Sequence, residues 1–101
     1  MKQTLVRYKI KPEQVQDNTR LIERVFEELK AKALDGARYM VLQLDDGTFV
    51  HFATVESTGG PHPITSLEAF RAFQSGIKER CMELPQSCDA TIVGNYRMIG
   101  E

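Results

Sequence analysis

The sequence has no tryptophan, only two cysteines and no long run of apolar residues. The first apolar stretch, at positions 5 and 6, is interrupted at once by Arg7 and Lys9, so the sequence predicts neither a signal peptide nor a membrane span. The spacing between Cys81 and Cys88 matches no zinc or CxxC motif. These absences predict a cytoplasmic protein whose two thiols are free, with a disulfide between them as the less favoured alternative.

Positively and negatively charged residues are nearly equal in number and are scattered along the chain. The 101 residues include 13 Lys and Arg against 14 Asp and Glu, for a formal net charge of -1. Neither nucleic acid nor an anionic membrane is therefore expected as a partner. Because 42% of the residues are apolar and 27% are charged, we expect residues 1–101 to form one globular domain with a modest core.

The spacing of apolar residues predicts alternating strands and helices. They are a strand over 4–10, a helix from 13 to about 34 closed near Gly36, a two-stranded hairpin within 37–56, a helix opened by a capping box at 65–68 and ended before Pro85, and a last strand within 89–100. The order β-α-β-β-α-β over about a hundred residues predicts a ferredoxin-like α+β domain. In this fold, four antiparallel strands form a sheet with both helices on one face.

Each predicted strand has two faces, because side chains alternate along a strand. One set of positions is the more apolar and is predicted to meet the helices: Val6, Tyr8, Ile10, Met40, Leu42, Leu44, Val50, Phe52, Ile92, Tyr96 and Met98. The register of the hairpin depends on its turn. A three-residue loop with Gly47 in the left-handed region places Val41 opposite His51, and a two-residue loop places Leu42 there. The hydrophobic pattern favours the three-residue loop.

With that register, His51 is predicted on the face away from the helices, together with Arg7, Tyr39, Gln43 and Asn95. The same face also carries several apolar side chains, which is more than a sheet leaves in water. We expect a second copy of the chain to cover it, which gives a symmetric homodimer.

The layout resembles the dimeric α/β-barrel superfamily, and in particular its antibiotic-biosynthesis-monooxygenase-like domains. The resemblance is carried by LVRYKIKPEQ as a strand running into a long helix, FVHFATVES as the third strand and SLEAFRAFQSGIKERC as the second helix. It implies a homodimer, and members include cofactor-free oxygenases of polycyclic quinol-type substrates, isomerases and haem-degrading enzymes. Haem-degrading members have a histidine on the second helix, and many of the enzymes have a tryptophan on a strand. Both residues are missing here.

His51 is the candidate catalytic residue for acid-base chemistry, because an imidazole exchanges a proton near neutral pH. Arg7 would hold a developing oxyanion and Asn95 would orient a carbonyl. The alternative is a polar dimer interface in which His51 only donates or accepts a hydrogen bond. His62 lies in the glycine-rich loop at 57–63, which is either a lid or a plain turn. Two histidines without a third ligand do not predict a metal site.

A second candidate pocket lies between the sheet and the helices, where aromatic rings would sandwich a flat compound. The candidate ligand-binding residues are Tyr8, Tyr39, Phe52, Phe70, Phe73 and Tyr96. The alternative for this set is an ordinary packed core. The sequence thus leaves two functions open. One is an enzyme that acts on a small aromatic or carbonyl metabolite without a metal or cofactor, and the other is a non-catalytic ligand-binding or accessory module.

Overall fold

In residues 2–56 and 62–98, which are the residues that this computed structural model describes, four antiparallel strands form one sheet. The strands are β1 (Lys2–Ile10), β2 (Ala37–Gln43), β3 (Thr48–Val55) and β4 (Cys81–Asp89), in the order β2-β3-β1-β4. A 3-10 turn (Pro12–Gln14) and α1 (Val15–Lys32) connect β1 to β2, and α2 (Glu68–Gln74) and α3 (Ile77–Arg80) precede β4. This arrangement confirms the predicted ferredoxin-like α+β fold.

The long helix α1 buries one stripe and exposes the other side. Ile22 and Val25, three positions apart, are buried against the sheet, as helical spacing requires. The helix ends earlier than predicted, because Ala33 adopts the left-handed conformation with φ 46° and its N–H bonds to the carbonyl of Leu29. Gly36 lies in the turn that follows. None of the described helices is long and apolar enough to cross a membrane.

The turn between β2 and β3 confirms the predicted three-residue loop. Gly47 has φ +87°, which favours glycine, and a Cβ there would lie 3.2 Å from the carbonyl oxygen of Ile10. Asp46 stabilises the turn by accepting a hydrogen bond from the N–H of Thr48. In the resulting register, Val41 pairs with His51, as predicted.

The register between β1 and β3 corrects the predicted faces of the hairpin strands. Val6 pairs with His51 and Arg7 pairs with Val50, so His51 shares the face of Val6. That face meets the helices, because it carries the buried Tyr8. The prediction that His51 points away from the helices is therefore wrong. Four residues predicted to meet the helices lie on the opposite side: Met40, Leu42, Val50 and Phe52.

The last strand begins and ends earlier than predicted. Gly76 interrupts the second helical segment with φ +80°, and the chain becomes extended at Cys81, which pairs with Ile10. β4 therefore spans 81–89 and includes Pro85, which an edge strand tolerates because one side of its backbone makes no ladder bonds. Residues 90–98 form neither helix nor strand. Of the three residues predicted to meet the helices from that strand, Tyr96 and Met98 are exposed, and Ile92 is not among the residues packed against the core.

The start of α2 differs from the predicted capping box. Leu67 is the capping residue, and no side chain of its own segment caps the helix. The carboxylate of Glu28 on α1 instead accepts a hydrogen bond of 2.9 Å from the N–H of Ala69. Because a free helix N-terminus needs acceptors, this bond fixes α2 against α1 and thereby places one wall of the site described next.

Candidate functional site

His51, near the middle of β3, is held between two tyrosine hydroxyls. The Tyr8 hydroxyl lies 2.7 Å from His51 Nε2, and the Tyr39 hydroxyl lies 2.5 Å from Nδ1. The three side chains come from three neighbouring strands and share the helix-facing side of the sheet. Only 6% of His51 is exposed. Both ring nitrogens are therefore committed to fixed partners.

A second layer of polar side chains extends the contacts of Tyr8 toward the helices. Asn18 of α1 is fully buried and donates from Nδ2 to the Tyr8 hydroxyl over 3.1 Å. Its Oδ1 accepts a hydrogen bond of 3.1 Å from Nε of Arg80. The Arg80 guanidinium also donates to the carbonyls of Phe73 and Ser75, and it lies 5.4 Å from the centre of the Phe73 ring. The five side chains Arg80, Asn18, Tyr8, His51 and Tyr39, here called the polar chain, thus run from α3 to β2.

Burial keeps the titratable members of the polar chain uncharged at neutral pH, apart from Arg80. Desolvation lowers the pKa of His51 to about 4 and raises the pKa values of Tyr8 and Tyr39. A neutral imidazole has one N–H donor and one acceptor nitrogen. His51 therefore donates to one tyrosine and accepts from the other.

A cavity of about 490 Å³ lies between the sheet and the helical segment, with His51 and Tyr39 on its wall. Its volume is in the range of small-molecule sites. Most of the lining is apolar or aromatic: Val6, Tyr8, Ala53, Val55, Pro63, Ile64, Phe70, Phe73, Ile77 and Pro85. The polar members are Lys2, Thr4, Glu56, His62, Thr65 and Gln74. The cavity therefore suits a mainly apolar compound that has one or a few polar atoms.

The aromatic rings of the cavity wall are packed against one another. Phe73 lies 5.3 Å from the His51 ring and 5.7 Å from the Phe70 ring. Tyr39 stacks on Phe26 of α1 with an interplanar angle of 13°. Because these contacts restrict the rings, the cavity wall is preformed and presents flat surfaces to a ligand.

The structure brings together most of the candidate residues that the sequence predicted for this side of the sheet. Tyr8, Tyr39, Phe70 and Phe73 all line the cavity. His51 joins them, so two candidate sites that the sequence placed on opposite faces form one site. The alternative of a dimer interface around His51 loses its geometric basis, because His51 faces the helices.

Four predicted site residues lie elsewhere. Arg7 is adjacent to Val6 on β1 and thus points to the opposite face from His51. Phe52 alternates with His51 on β3 and shares that opposite face. Asn95 follows β4, where its Oδ1 accepts a hydrogen bond from the N–H of Met98, and Tyr96 beside it is 80% exposed. The predicted grouping of Arg7 with His51, and of Phe52 with the pocket, is therefore wrong, and neither Asn95 nor Tyr96 lines the cavity.

Two residues of the polar chain were missed in the sequence. Asn18 precedes Ile22 by four positions and therefore continues the buried stripe of α1, where an amide is unusual. Arg80, which is 7% exposed, immediately precedes the buried Cys81. The position of a polar residue in an apolar helical stripe could have indicated that Asn18 is buried. No comparable pattern in the sequence indicated Arg80.

His62 lines the cavity and is the first residue of the second described range. Its Nδ1 accepts hydrogen bonds from the N–H groups of Ile64 and Thr65, which stabilises the turn before α2. The predicted lid falls largely on residues 57–61, which lie outside the described residues.

The two cysteines are both free, with Cys81 buried and Cys88 exposed. In the described parts of the chain, no three His, Cys, Asp or Glu side chains group as a metal site would require.

Comparison with known proteins finds solved structures with a similar fold. No family model matches the chain, and no curated protein matches it in sequence. The solved structure of an antibiotic biosynthesis monooxygenase is similar to 93% of this chain over 100% of its own, with 15% identity and a TM-score of 0.73. A protein from Nitrosomonas europaea with a provisional assignment to the same activity gives 13% identity and a TM-score of 0.74, over 93% of this chain and 100% of that one.

A protein of unknown function from Nitrosomonas europaea is similar over 97% of this chain and 94% of its own, with 15% identity and a TM-score of 0.70. At such identities the likeness concerns the backbone. The chain has the fold of the antibiotic-biosynthesis-monooxygenase-like proteins, and the resemblance found in the sequence is confirmed in that respect. Because one fold hosts many functions, the activity has to be argued from the site itself.

Proposed function

We propose that this protein binds a small, flat, mainly apolar compound with a carbonyl or hydroxyl oxygen in the cavity between sheet and helices. The Tyr39 hydroxyl meets the oxygen and exchanges a proton with it, and His51 Nδ1, which is bonded to that hydroxyl, relays the proton. The observation that carries the proposal is the hydrogen bond between Tyr39 and His51 Nδ1 on the wall of a mainly apolar cavity. Buried polar pairs at such a place fix the orientation of a ligand and supply acid-base chemistry.

The proposed chemistry is proton transfer at an oxygen, which tyrosine and histidine side chains perform by themselves. A ligand whose anion reacts with dioxygen would be oxygenated, as the resemblance to cofactor-free oxygenases implies. Anthrone is a suitable probe, because this flat tricyclic ketone is in equilibrium with its enol, and loss of the enol hydroxyl proton gives the enolate. The enolate reacts with one dioxygen to yield anthraquinone and one water, and the proton that was removed returns in that water. The balance requires dioxygen as the only co-reactant.

The second candidate function is a ligand-binding module without turnover. It is supported by the same cavity, because both functions require an apolar compound between the sheet and α2. They differ in the effect of His51. An enzyme needs the imidazole for turnover, whereas a binding module needs only a side chain of similar size and polarity at this position.

A homodimer is also proposed, through the side of the sheet that faces away from the helices. This outer face, formed by Leu5, Arg7, Met40, Leu42, Val50 and Phe52, is largely apolar, and Leu42 is 52% exposed. Continuous apolar surface of this kind is typical of an interface. A second copy is the simplest cover, because a two-fold axis brings identical apolar rows together. The proposed interface stays on the side of the sheet away from the helices, but the corrected faces give it Met40, Leu42, Val50 and Phe52 in place of His51.

The experiment combines binding and turnover. Thermal shift with anthrone, xanthone and 2-naphthol under nitrogen is measured for the wild type, His51→Gln, Phe70→Ala and the control His62→Gln. Dioxygen uptake with anthrone is measured next. Binding to the wild type that Phe70→Ala weakens, together with uptake that His51→Gln abolishes, supports the enzyme. Equal binding to wild type and His51→Gln without uptake supports the binding module, and no binding by any compound contradicts both.

A further inference from the structure

The polar chain has a direction that can be followed from its charged end. Arg80 only donates hydrogen bonds, so the atom of Asn18 that faces Nε of Arg80 must be the carbonyl oxygen. The amide group of Asn18 therefore faces Tyr8 and donates to the tyrosine hydroxyl. This assignment follows from the chemistry of the guanidinium and leaves no choice at the first two links.

The next link depends on which nitrogen of the neutral His51 carries the proton. If Nδ1 is protonated, Tyr8 donates to Nε2 and His51 donates to Tyr39. If Nε2 is protonated, His51 donates to Tyr8 and Tyr39 donates to Nδ1. In the second arrangement the Tyr8 oxygen accepts twice, and its own hydrogen has no acceptor among the contacts of the described residues.

Burial decides between the two arrangements. Tyr8 is 3% exposed, so a hydroxyl hydrogen left without an acceptor there pays the desolvation cost that makes such groups rare. Tyr39 is only half-buried and borders the cavity, where a ligand or water can accept its hydrogen. The Nδ1-protonated form therefore satisfies every buried group and leaves the spare donor at the cavity.

We propose that Arg80, Asn18, Tyr8, His51 and Tyr39 each donate to the next, so that the Tyr39 hydroxyl is a fixed donor to a carbonyl or enolate oxygen of the ligand. The inference rests on the proposed function in one respect, that the ligand occupies this cavity. It narrows the ligand class from carbonyl or hydroxyl compounds to carbonyl and enolate compounds, whose oxygen accepts from Tyr39 and has no O–H of its own to satisfy. Asn18 and Arg80 do not line the cavity and are positioning residues.

The charge of Arg80 adds to the same preference. The ion pairs among the described residues join Arg20 to Asp17 and Lys32 to Glu28, and neither involves Arg80. Its guanidinium is bonded to uncharged oxygens of Asn18, Phe73 and Ser75. Asp17 and Glu79 act on Arg80 at longer range, and no ion pair of the described residues includes it. The buried guanidinium polarises the polar chain that begins at it and favours negative charge at the other end. An enolate oxygen at Tyr39 gains from this field more than a neutral ketone oxygen.

The first test reads the tautomer directly. In protein labelled with 15N at histidine, long-range 1H–15N correlation spectra between pH 6.5 and 8 distinguish protonated from unprotonated ring nitrogens, and His62→Gln assigns the two histidines. The expected result is a protonated Nδ1 and an unprotonated Nε2 at His51. Protonation at Nε2 overturns the inference, and this measurement on the wild type requires no site variant to fold.

Asn18→Asp reverses the chain by design. A carboxylate at position 18 only accepts, so Tyr8 must donate to it, and His51 must then donate from Nε2 to Tyr8. The expected result is a switch of the His51 tautomer to Nε2–H. Gln16→Glu makes the same amide-to-carboxylate change at an exposed position of α1 and is expected to leave the tautomer unchanged. A protonated Nδ1 that persists in folded Asn18→Asp contradicts the proposed chain.

The second test measures the ligand preference with 9-fluorenone and fluorene, which share a flat shape and differ in the carbonyl. One additional hydrogen bond predicts that fluorenone binds about threefold to tenfold more tightly than fluorene to the wild type. Its carbonyl stretching frequency is expected to fall on binding. Tyr39→Phe and Asn18→Asp are expected to abolish both the preference and the frequency shift, and Gln16→Glu to keep them.

The outcomes separate the two proposals. Binding of neither compound contradicts the proposed cavity function, while the tautomer of His51 still decides the direction of the chain. Equal binding of both compounds without a frequency shift overturns the inference and leaves the cavity as a binding site. A preference that Tyr39→Phe does not change overturns the assignment of Tyr39 as the donor.

Discussion

The Tyr8 hydroxyl on β1 lies 2.7 Å from Nε2 of His51 on β3, and both side chains are buried. Tyr8 pairs with Phe49 across the two strands, and His51 is the next residue on the same face, so the contact is diagonal. A single register between two strands therefore decides whether the histidine becomes part of the core or part of the outer surface. The register observed between β1 and β3 places His51 in the core. The imidazole is therefore a structural link between strands as well as a candidate catalytic group.

The buried imidazole makes stability depend on pH. In the unfolded chain His51 titrates near pH 6.5, whereas burial lowers its pKa in the folded protein to about 4. Between these values the unfolded state binds a proton that the folded state does not, so the free energy of unfolding falls as pH falls. Above pH 6.5 both states are neutral and the contribution is constant. The difference amounts to about 3 kcal/mol between pH 7 and 4, at about 1.4 kcal/mol per pKa unit.

His51→Gln isolates this effect. Urea unfolding is measured at several pH values for the wild type and the variant, and the difference in unfolding free energy is plotted against pH. Subtraction removes the contribution of the carboxylates. We expect the wild type to lose about 3 kcal/mol relative to His51→Gln on acidification. His62→Gln removes the other imidazole, which is exposed, and is the control. A pH-independent difference for His51→Gln would show that the imidazole is not buried as described.

The two tyrosines that hold His51 are expected to differ in their effect on stability. Tyr8→Phe keeps the ring packed against Phe49 but leaves buried groups of Asn18 and His51 without a partner, which costs about 1–3 kcal/mol. Tyr39→Phe leaves Nδ1 beside the cavity, where water can replace the hydroxyl, and we expect a loss of about 1 kcal/mol or less.

Urea unfolding at pH 7.5 measures both changes, with Tyr96→Phe as the control because Tyr96 is 80% exposed. Equal losses for Tyr8→Phe and Tyr39→Phe would contradict the different burial of the two hydroxyls.

Filling the cavity should abolish binding without unfolding the protein. Ala53 lines the cavity next to His51 on the same face of β3, and Ala53→Phe places a ring in the space proposed for the ligand. We expect thermal shift by xanthone to disappear. The melting temperature without ligand should change little, because added apolar contact offsets the strain of a larger side chain. Ala31→Phe on the exposed side of α1 is the matched control. Unchanged binding in folded Ala53→Phe would place the ligand elsewhere.

The sequence predicted the element order and the hairpin register because both depend on local signals. The period of α1 is visible in Ile22 and Val25, and the turn at Gly47 has its own chemistry. The faces of β2 and β3 could not be assigned in this way, because Tyr39 and Val41 on one side are as apolar as Met40 and Leu42 on the other. When both faces of a strand are apolar, alternation does not distinguish the core side.

The candidate site was predictable in part for the same reason. Tyr8, Phe70 and Phe73 could be grouped from the apolar face of β1 and the helical spacing of α2. The position of His51 among them required the register between β1 and β3, which no turn connects. Predicting Arg80 as a site residue would have required knowledge of the break at Gly76. That break replaces the expected long helix by α3, and β4 starts eight residues before the predicted strand.

The outer face leads to the last prediction, which concerns assembly. Phe52, Leu5 and Met40 form one row across three strands, and Leu42, Val50 and Arg7 form the next, so that a two-fold related copy would meet a largely apolar surface. If this face is the interface, Phe52→Glu or Leu42→Glu buries a charge without a partner and is expected to convert a dimer into a monomer in sedimentation velocity experiments.

Ala31→Glu adds the same charge on the exposed side of α1 and should leave the dimer intact. Because Leu42 is already 52% exposed in the single chain, Leu42→Glu is expected to fold as a monomer. It therefore separates loss of assembly from loss of folding. A wild type that sediments as a monomer at every concentration would refute the interface, and a dimer that persists in both variants would place it on another surface.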